Sequence, residues 1–252
     1  MKNKYTNKNI LIVGSSTGLG FAIGKKYLEL NANVIFTGYK NLNFLKKLKT
    51  KYPKKMDFFI GDLALEPEII NLCNHVKKRF KKIDIIVHTL GGGFGLTSDL
   101  ISYNDLLYLY KVNLAAGVEI NRILFKNLNK KYSYIVHVGS TASVQAIGSV
   151  GYNTVKTALR AYVKSFASRV VKKGVIVSSI MPGAFIAPNN HFEKMKKNNI
   201  KYFNDFQDNK IKIPKISSYK DIIPLVILLT NDDGKMLAGS NVLIDACETN
   251  AY

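Results

Sequence analysis

Seven short apolar runs, at 10–13, 34–37, 57–60, 83–89, 133–138, 175–180 and 242–244, punctuate this chain, and the longer stretches between them carry helical periodicity. Continuous apolar runs of strand length alternating with amphipathic helices predict βαβ units, whose strands are buried on both faces of a parallel sheet. Between two of these runs, Ile69, Leu72, Cys73, Val76 and Phe80 recur at helical spacing, which makes Cys73 core filler. A length of 252 residues and a hydrophobic content of 47% suit one α/β domain with a sizeable core. The expectation is a single doubly wound domain over 1–252, with seven mainly parallel strands and helices on both faces.

The chain lacks an apolar stretch of the roughly 20 residues a membrane-spanning helix needs, and its first apolar run leads directly into a glycine turn. Cys73 and Cys247 stand far apart, without disulfide or metal-ligand spacing. A cytoplasmic protein with no metal and no membrane partner is therefore expected. The net charge of +20 invites a nucleic-acid reading, but only four of the 37 basic residues are Arg, and base edges are read by Arg forks. The scattered lysines read as solvated helix faces. No nucleic-acid partner is expected, and a preference for anionic substrates survives.

The first strand ends in Gly14-Ser15-Ser16-Thr17-Gly18-Leu19-Gly20, and an amphipathic helix follows at once. Glycines allow a tight turn and close approach of backbone to a phosphate, while free N–H groups and the dipole at a helix start attract its charge. An ordinary strand-to-helix turn is the plain alternative. The second strand runs into Tyr39-Lys40, where a carboxylate would otherwise grip an adenosine ribose. A cation there favours a 2′-phosphate, so NADP(H) is expected over NAD(H).

Farther on, Tyr152 and Lys156 stand four apart at the start of a helical stretch, so both lie on one face. Ser140 ends the fifth strand twelve residues before Tyr152, Asn113 lies upstream in a helix, and Pro182-Gly183 follows the sixth strand. This set, with the glycine spacing G-x-x-x-G-x-G, resembles the short-chain dehydrogenase/reductase family from residue 10 to about residue 183, with a weaker echo after it. The resemblance implies reversible reduction of a ketone to a secondary alcohol. Tyr152 would be the general acid or base, with its pKa lowered by the Lys156 ammonium. Ser140 would hold the substrate oxygen, and Asn113 would hold a water in a relay from Lys156. Plainer readings make Ser140 a strand-end cap and Asn113 the satisfier of a helix bulge.

The resemblance also assigns Gly14, Ser16, Thr17, Gly18, Leu19 and Gly20 to the cofactor phosphates, and Tyr39, Lys40, Asp62 and Leu63 to its adenosine end. Gly91, Tyr152, Lys156, Pro182, Gly183 and Phe185 would lie along its nicotinamide half. Asp62 reads equally as a helix N-cap. Departures from the family pattern are Val13, the segment His88-Thr89-Leu90-Gly91, Ala187 and the stretch Ile244-Asp245-Ala246-Cys247. His88 is either a core histidine or a residue near the cofactor. The irregular stretch 184–218 reads as a substrate lid, with Phe192, Met195, Tyr202, Phe203 and Phe206 choosing the substrate. Relatives are often homodimers or homotetramers, so a homo-oligomer is implied. A cofactor-binding protein without turnover, and a binder of acidic polymers, are the competing readings.

Overall fold

The structure, a computed structural model, describes residues 2–40, 42–129, 131–188 and 190–250. The described residues form nine strands: β1 (Asn9–Val13), β2 (Asn33–Gly38), β3 (Met56–Ile60), β4 (Ile85–His88), β5 (Ser133–Val138), β6 (Val175–Pro182), β7 (Phe185–Ile186), β8 (Ser217–Ser218) and β9 (Asn241–Ile244). Seven build one sheet in the order β3-β2-β1-β4-β5-β6-β9, and every pairing within it is parallel. The strand order turns outwards in both directions from the β1–β4 junction, and at such a switch point a crevice opens beyond the carboxyl ends of the strands.

Among the described residues, ten α-helices accompany them: α1 (Lys2–Tyr5), α2 (Gly18–Glu29), α3 (Asn43–Lys51), α4 (Glu66–Arg79), α5 (Tyr103–Tyr110), α6 (Ala116–Leu124), α7 (Val150–Val170), α8 (His191–Asn198), α9 (Ile200–Lys210) and α10 (Tyr219–Leu229). Alternate residues along the central strands serve two separate cores. Ile10, Ile12, Val34 and Phe36 pack under α2 and α10, while Leu11, Val13, Ile35 and Ile86 pack under α4, α6 and α7. Burial on both faces explains why these strands read as unbroken apolar runs.

Three expectations need adjustment. The run 83–89 yields only Ile85–His88 in the sheet, because Ile83 pairs instead with Leu128 in an isolated bridge. The stretch 184–218 is folded rather than irregular, since β7 and β8 pair in parallel at its two ends and α8 and α9 lie between them. Asn190 and Asn199 cap these helices by accepting from Glu193 N and Tyr202 N. Their lysine-rich turns conceal the helical stripe in the sequence. Third, Asn113 lies in a π-helical turn, Lys111–Ala115, that joins α5 to α6 as one interrupted helix.

Candidate active site

The glycine turn is built by its neighbours. Gly14 has φ +78°, and a Cβ there would stand 2.5 Å from the Leu90 backbone, so only glycine lets the ends of β1 and β4 approach this closely. Its N–H donates to Thr37 Oγ1 at 2.7 Å, and the Thr89 hydroxyl donates to the carbonyls of Val13 and Gly14 at 2.8 and 2.9 Å. These two threonines went unrecognised in the sequence, because nothing local to them marks contacts across 23 or 75 positions.

At the start of α2, Thr17 adopts an extended N-cap conformation without a side-chain capping bond. The first-turn N–H groups of a helix have no intrahelical acceptor, so this end offers donors to an anion. Above Gly18, φ +60°, a Cβ would meet the Pro188 carbonyl oxygen first, at 3.6 Å, so the stretch that starts at 184 begins over this turn. Gly38 would carry its Cβ 3.0 Å from Ser16, which brings Ser16 to the end of β2 beside Tyr39 and Lys40. Both of those side chains are exposed, with Lys40 Nζ 5.2 Å from the Tyr39 ring centre. Leu19 and Leu63, in contrast, point into the two cores. Asp62 is not the N-cap of α4, a place taken by Leu65; its carboxylate instead accepts from Ala64 N at 3.0 Å in the turn before that helix.

The second cluster gathers at the ends of β4 and β5. Ser140 starts a 3-10 turn, and its hydroxyl accepts from Ala142 N at 3.1 Å while hydrogen-bonding Tyr152. The capping and substrate-facing readings of Ser140 are thus compatible. Lys156 is 3% exposed and donates to the Val138 carbonyl at 3.1 Å, with Nζ 5.6 Å from the Tyr152 ring centre. Gly91, φ +143°, is where the parts meet: a Cβ there would lie 2.5 Å from Asn113 Oδ1 and 3.2 Å from Lys156 Nζ. Asn113 ties this loop to the π-turn. Its Nδ2 donates to the carbonyls of Gly92 and Leu109, and its Oδ1 accepts from Gly92 N at 3.0 Å. Both amide protons are consumed, so the bulge-satisfying role is the one in view, and only an oxygen lone pair remains for a water.

Burial governs the electrostatics. It lowers the Lys156 ammonium to about 8, and it raises the Tyr152 phenol above its usual 10, with the Ser140 hydrogen bond pulling it back. Against the expected lowering, the phenol is raised, because its burial outweighs the Ser140 hydrogen bond; the Lys156 ammonium donates to the Val138 carbonyl.

Beside this cluster, Gly183 N donates to Ile244 O, and Ala184 N donates to Glu248 Oε2 at 2.5 Å. Phe185 starts β7, its carbonyl accepting from Asn190 Nδ2. The final segment, where the family pattern breaks, is closed by Asp245, which accepts from Cys247 N and from Thr249 N and Oγ1. Glu248 was not foreseen, and only the backbone geometry of that closure brings it to Ala184.

The turn, the uncapped helix end, the exposed cation and the buried Tyr–Lys pair fit a phosphate-bearing dinucleotide. Groups of three or more metal-ligating side chains are absent among the described residues, and no described helix is long and apolar enough to cross a membrane.

Known proteins agree with this geometry. The family described as short chain dehydrogenase matches residues 8–198. The 3-oxoacyl-(acyl-carrier-protein) reductase FabG of Buchnera aphidicola is 28% identical over 96% of this chain and 97% of its own. Dehydrogenase/reductase SDR family member 4 of Mus musculus is 24% identical over 96% and 88%. In solved structures, the fold recurs in L-sorbose reductase from Gluconobacter frateurii complexed with NADPH and L-sorbose, with TM-score 0.90, 22% identity and 100% of both chains covered. It recurs as well in a short chain dehydrogenase from Burkholderia cenocepacia in complex with NADP, with TM-score 0.86, 22% identity and 98% and 99% covered. With nearly the whole sheet and both halves of the site inside the matched region, this chain belongs to the short-chain dehydrogenase/reductase family of NAD(P)-dependent oxidoreductases.

Proposed function

We propose that this protein reduces a ketone to a secondary alcohol, reversibly, with NADP(H) preferred to NAD(H). The observation that carries this reading is the convergence of Tyr152, Ser140, Lys156 and Asn113 beside a glycine turn at the sheet's switch point. Ser16, Thr17, Gly18, Leu19 and Gly20 would hold the cofactor phosphates, chiefly through backbone N–H groups at the start of α2, while Gly14, its N–H given to Thr37, shapes the turn beneath them. Tyr39, Lys40, Asp62 and Leu63 would flank its adenosine end, and Gly91, Pro182, Gly183 and Phe185 its nicotinamide. When bound, the nicotinamide supplies or accepts the hydride.

The remaining chemistry belongs to the chain. Burial raises the Tyr152 phenol, so in the reductive direction Tyr152 carries the proton that it donates to the developing alkoxide, and in the oxidative direction it takes that proton back. Ser140, fixed by Ala142 N, orients the substrate oxygen towards Tyr152. Lys156 spends one donor on Val138 and keeps two for the ribose and for a charge that favours phenolate once Tyr152 has given up its proton. Asn113 holds the Gly91–Gly92 loop in register with Lys156.

The substrate in this reading is a small ketone borne on an anionic or polyhydroxylated group, under the lid of β7, α8, α9 and β8. Support comes from the lysines of α8 and α9 and from the names of the relatives. The reading includes a cytoplasmic setting and a homodimer or homotetramer built on the helices that carry Asn113 and Tyr152; exposed Tyr103, Tyr110 and Val150 on those helices favour it. Light scattering after gel filtration reads the assembly.

Calorimetric titration with NADPH and with NADH tests the cofactor claim. Lys40→Ala should weaken NADPH about tenfold, the loss of one exposed charge contact to a phosphate, and leave NADH unchanged. Failure of both nucleotides to bind would overturn the proposal.

A further inference from the structure

Behind the catalytic cluster lies a buried polar array that the reaction does not use. His88, the last residue of β4, stacks on His137 of β5, with ring centres 4.3 Å apart and planes 13° from parallel. Asn121 of α6 joins them. It lies 2.9 Å from His88 Nε2 and 3.3 Å from His137 Nε2, and its amide nitrogen donates to the Tyr162 hydroxyl at 3.1 Å. With the Asn121 nitrogen turned to Tyr162 and His137, its oxygen accepts from His88 Nε2–H, which leaves His88 Nδ1 as a bare lone pair. His88 is 5% exposed, and Nδ1 has no partner among protein atoms. A buried acceptor left in this way costs about 1–3 kcal/mol.

Nδ1 faces a small cavity with about 10 Å³ of room for the centre of a water, lined by His88, His137, Asn113, Gly117, Val138 and Leu90 among others. That is the size at which one water fits, provided polar groups surround it. Gly117 leaves the space open, since a Cβ there would stand 3.4 Å from His88 Nδ1 and 3.2 Å from His137 Cε1. The far wall is the catalytic cluster: Val138, whose carbonyl holds Lys156, and Asn113, whose amide holds the loop against which Lys156 Nζ lies.

We propose that this cavity is a site for one water molecule held by His88 Nδ1, and that through this water His88 acts as a positioning residue for Lys156. The water donates to Nδ1 and turns its oxygen towards the Val138 and Asn113 side, where a lone pair favours an ammonium. The titratable groups of the cavity wall and the array are His88 on β4, His137 on β5 and Tyr162 on α7, with the Lys156 charge acting on His137 from behind the wall; α6 and the π-turn bring only Asn121 and Asn113. Burial lowers both imidazoles, His88 to about 4, so the array is neutral at physiological pH and sets no competing charge beside Lys156. The link to Lys156 bears on turnover only if the catalytic reading of Tyr152, Ser140, Lys156 and Asn113 holds; the water site stands apart from it.

Three measurements test this without any substrate. A crystal structure at a resolution that shows waters should place one water within hydrogen-bond distance of His88 Nδ1; a dry cavity overturns the site. Nitrogen-15 NMR of histidine should find His88 as the Nε2–H tautomer from pH 6 to 8, and an Nδ1–H tautomer overturns the site. Lysine side-chain NMR, with the Lys156 signal identified by its loss in Lys156→Met, reads the third. Gly117→Ala, which fills the cavity and suits a helix, and His88→Leu should each lower the Lys156 titration by about half a pH unit or more, because the ammonium loses a solvating group. An unmoved titration in folded Gly117→Ala overturns the positioning role. Failure of the catalytic reading would show separately, as absent turnover of every ketone tried with the water in place.

Discussion

Lys156 carries the chief cost at the residue scale. Its ammonium is buried on one carbonyl, and burial drops it from 10.5 to about 8. A Lys depressed in the folded state binds protons less tightly there than in the unfolded chain, so stability rises with pH between about 8 and 10.5. Replacement by an apolar chain of like volume removes the penalty. Lys156→Met should therefore raise stability of the cofactor-free protein by about 2 kcal/mol while abolishing turnover, checked by denaturant melts at pH 7. Tyr152→Phe keeps the ring and removes the proton. It should cut kcat about 10³-fold with cofactor affinity intact, and a smaller loss would mean that another group supplies the proton. Both residues were legible in the sequence because the helix places positions four apart on one face. His137, Asn121 and Tyr162 were not, since no spacing between them repeats and only strand order brings them together.

At the scale of elements, the site depends on two places where backbone conformation decides. The β1–α2 turn tolerates only glycine at 14, where φ is +78° and the Leu90 backbone closes the space. Gly14→Ala should destabilise the protein by about 3 kcal/mol and lose nucleotide binding, read by thermal melts and titration together. The helix α10 starts from a full capping box, with Ser218 accepting from Lys220 N and Asp221 reaching back to Ser218 N. Ser218→Ala should lose about 1 kcal/mol and, because β8 ends at Ser218, loosen the lid, read as a higher KM. The strands were legible because burial on both faces leaves continuous apolar runs. Helices α8 and α9 were not: their caps are asparagines in an asparagine-rich stretch, and only Phe203 of their aromatic residues is fully buried.

The whole molecule couples these parts through pH. His88 is depressed to about 4 by burial, and His137 is lowered in the same direction by burial first and by the neighbouring His88 and Lys156 charges after it. The unfolded chain takes up protons near 6.5, so their contribution is complete above that pH and is lost as pH falls towards 4. His88 alone accounts for on the order of 3 kcal/mol of this loss. Chemical denaturation across pH 4–7 should show the decline, and His88→Leu should flatten it; a stability independent of pH in this window would refute the burial of neutral imidazoles.

What the sequence determined by itself was whatever depends on local covalent chemistry and periodicity. The apolar alternation set the parallel architecture, the glycine spacing set the phosphate turn, and the Tyr–Lys spacing put two reactive groups on one helical face. Tertiary structure decided everything that needs two distant segments. It turned Lys156 towards Val138 rather than Tyr152, consumed the Asn113 amide in holding a loop, folded the lid, and left one imidazole nitrogen facing a water-sized space. The reason is physical: propensity and pattern act over a few residues, whereas burial, hydrogen-bond partners and pKa depend on which surfaces the sheet order brings into contact.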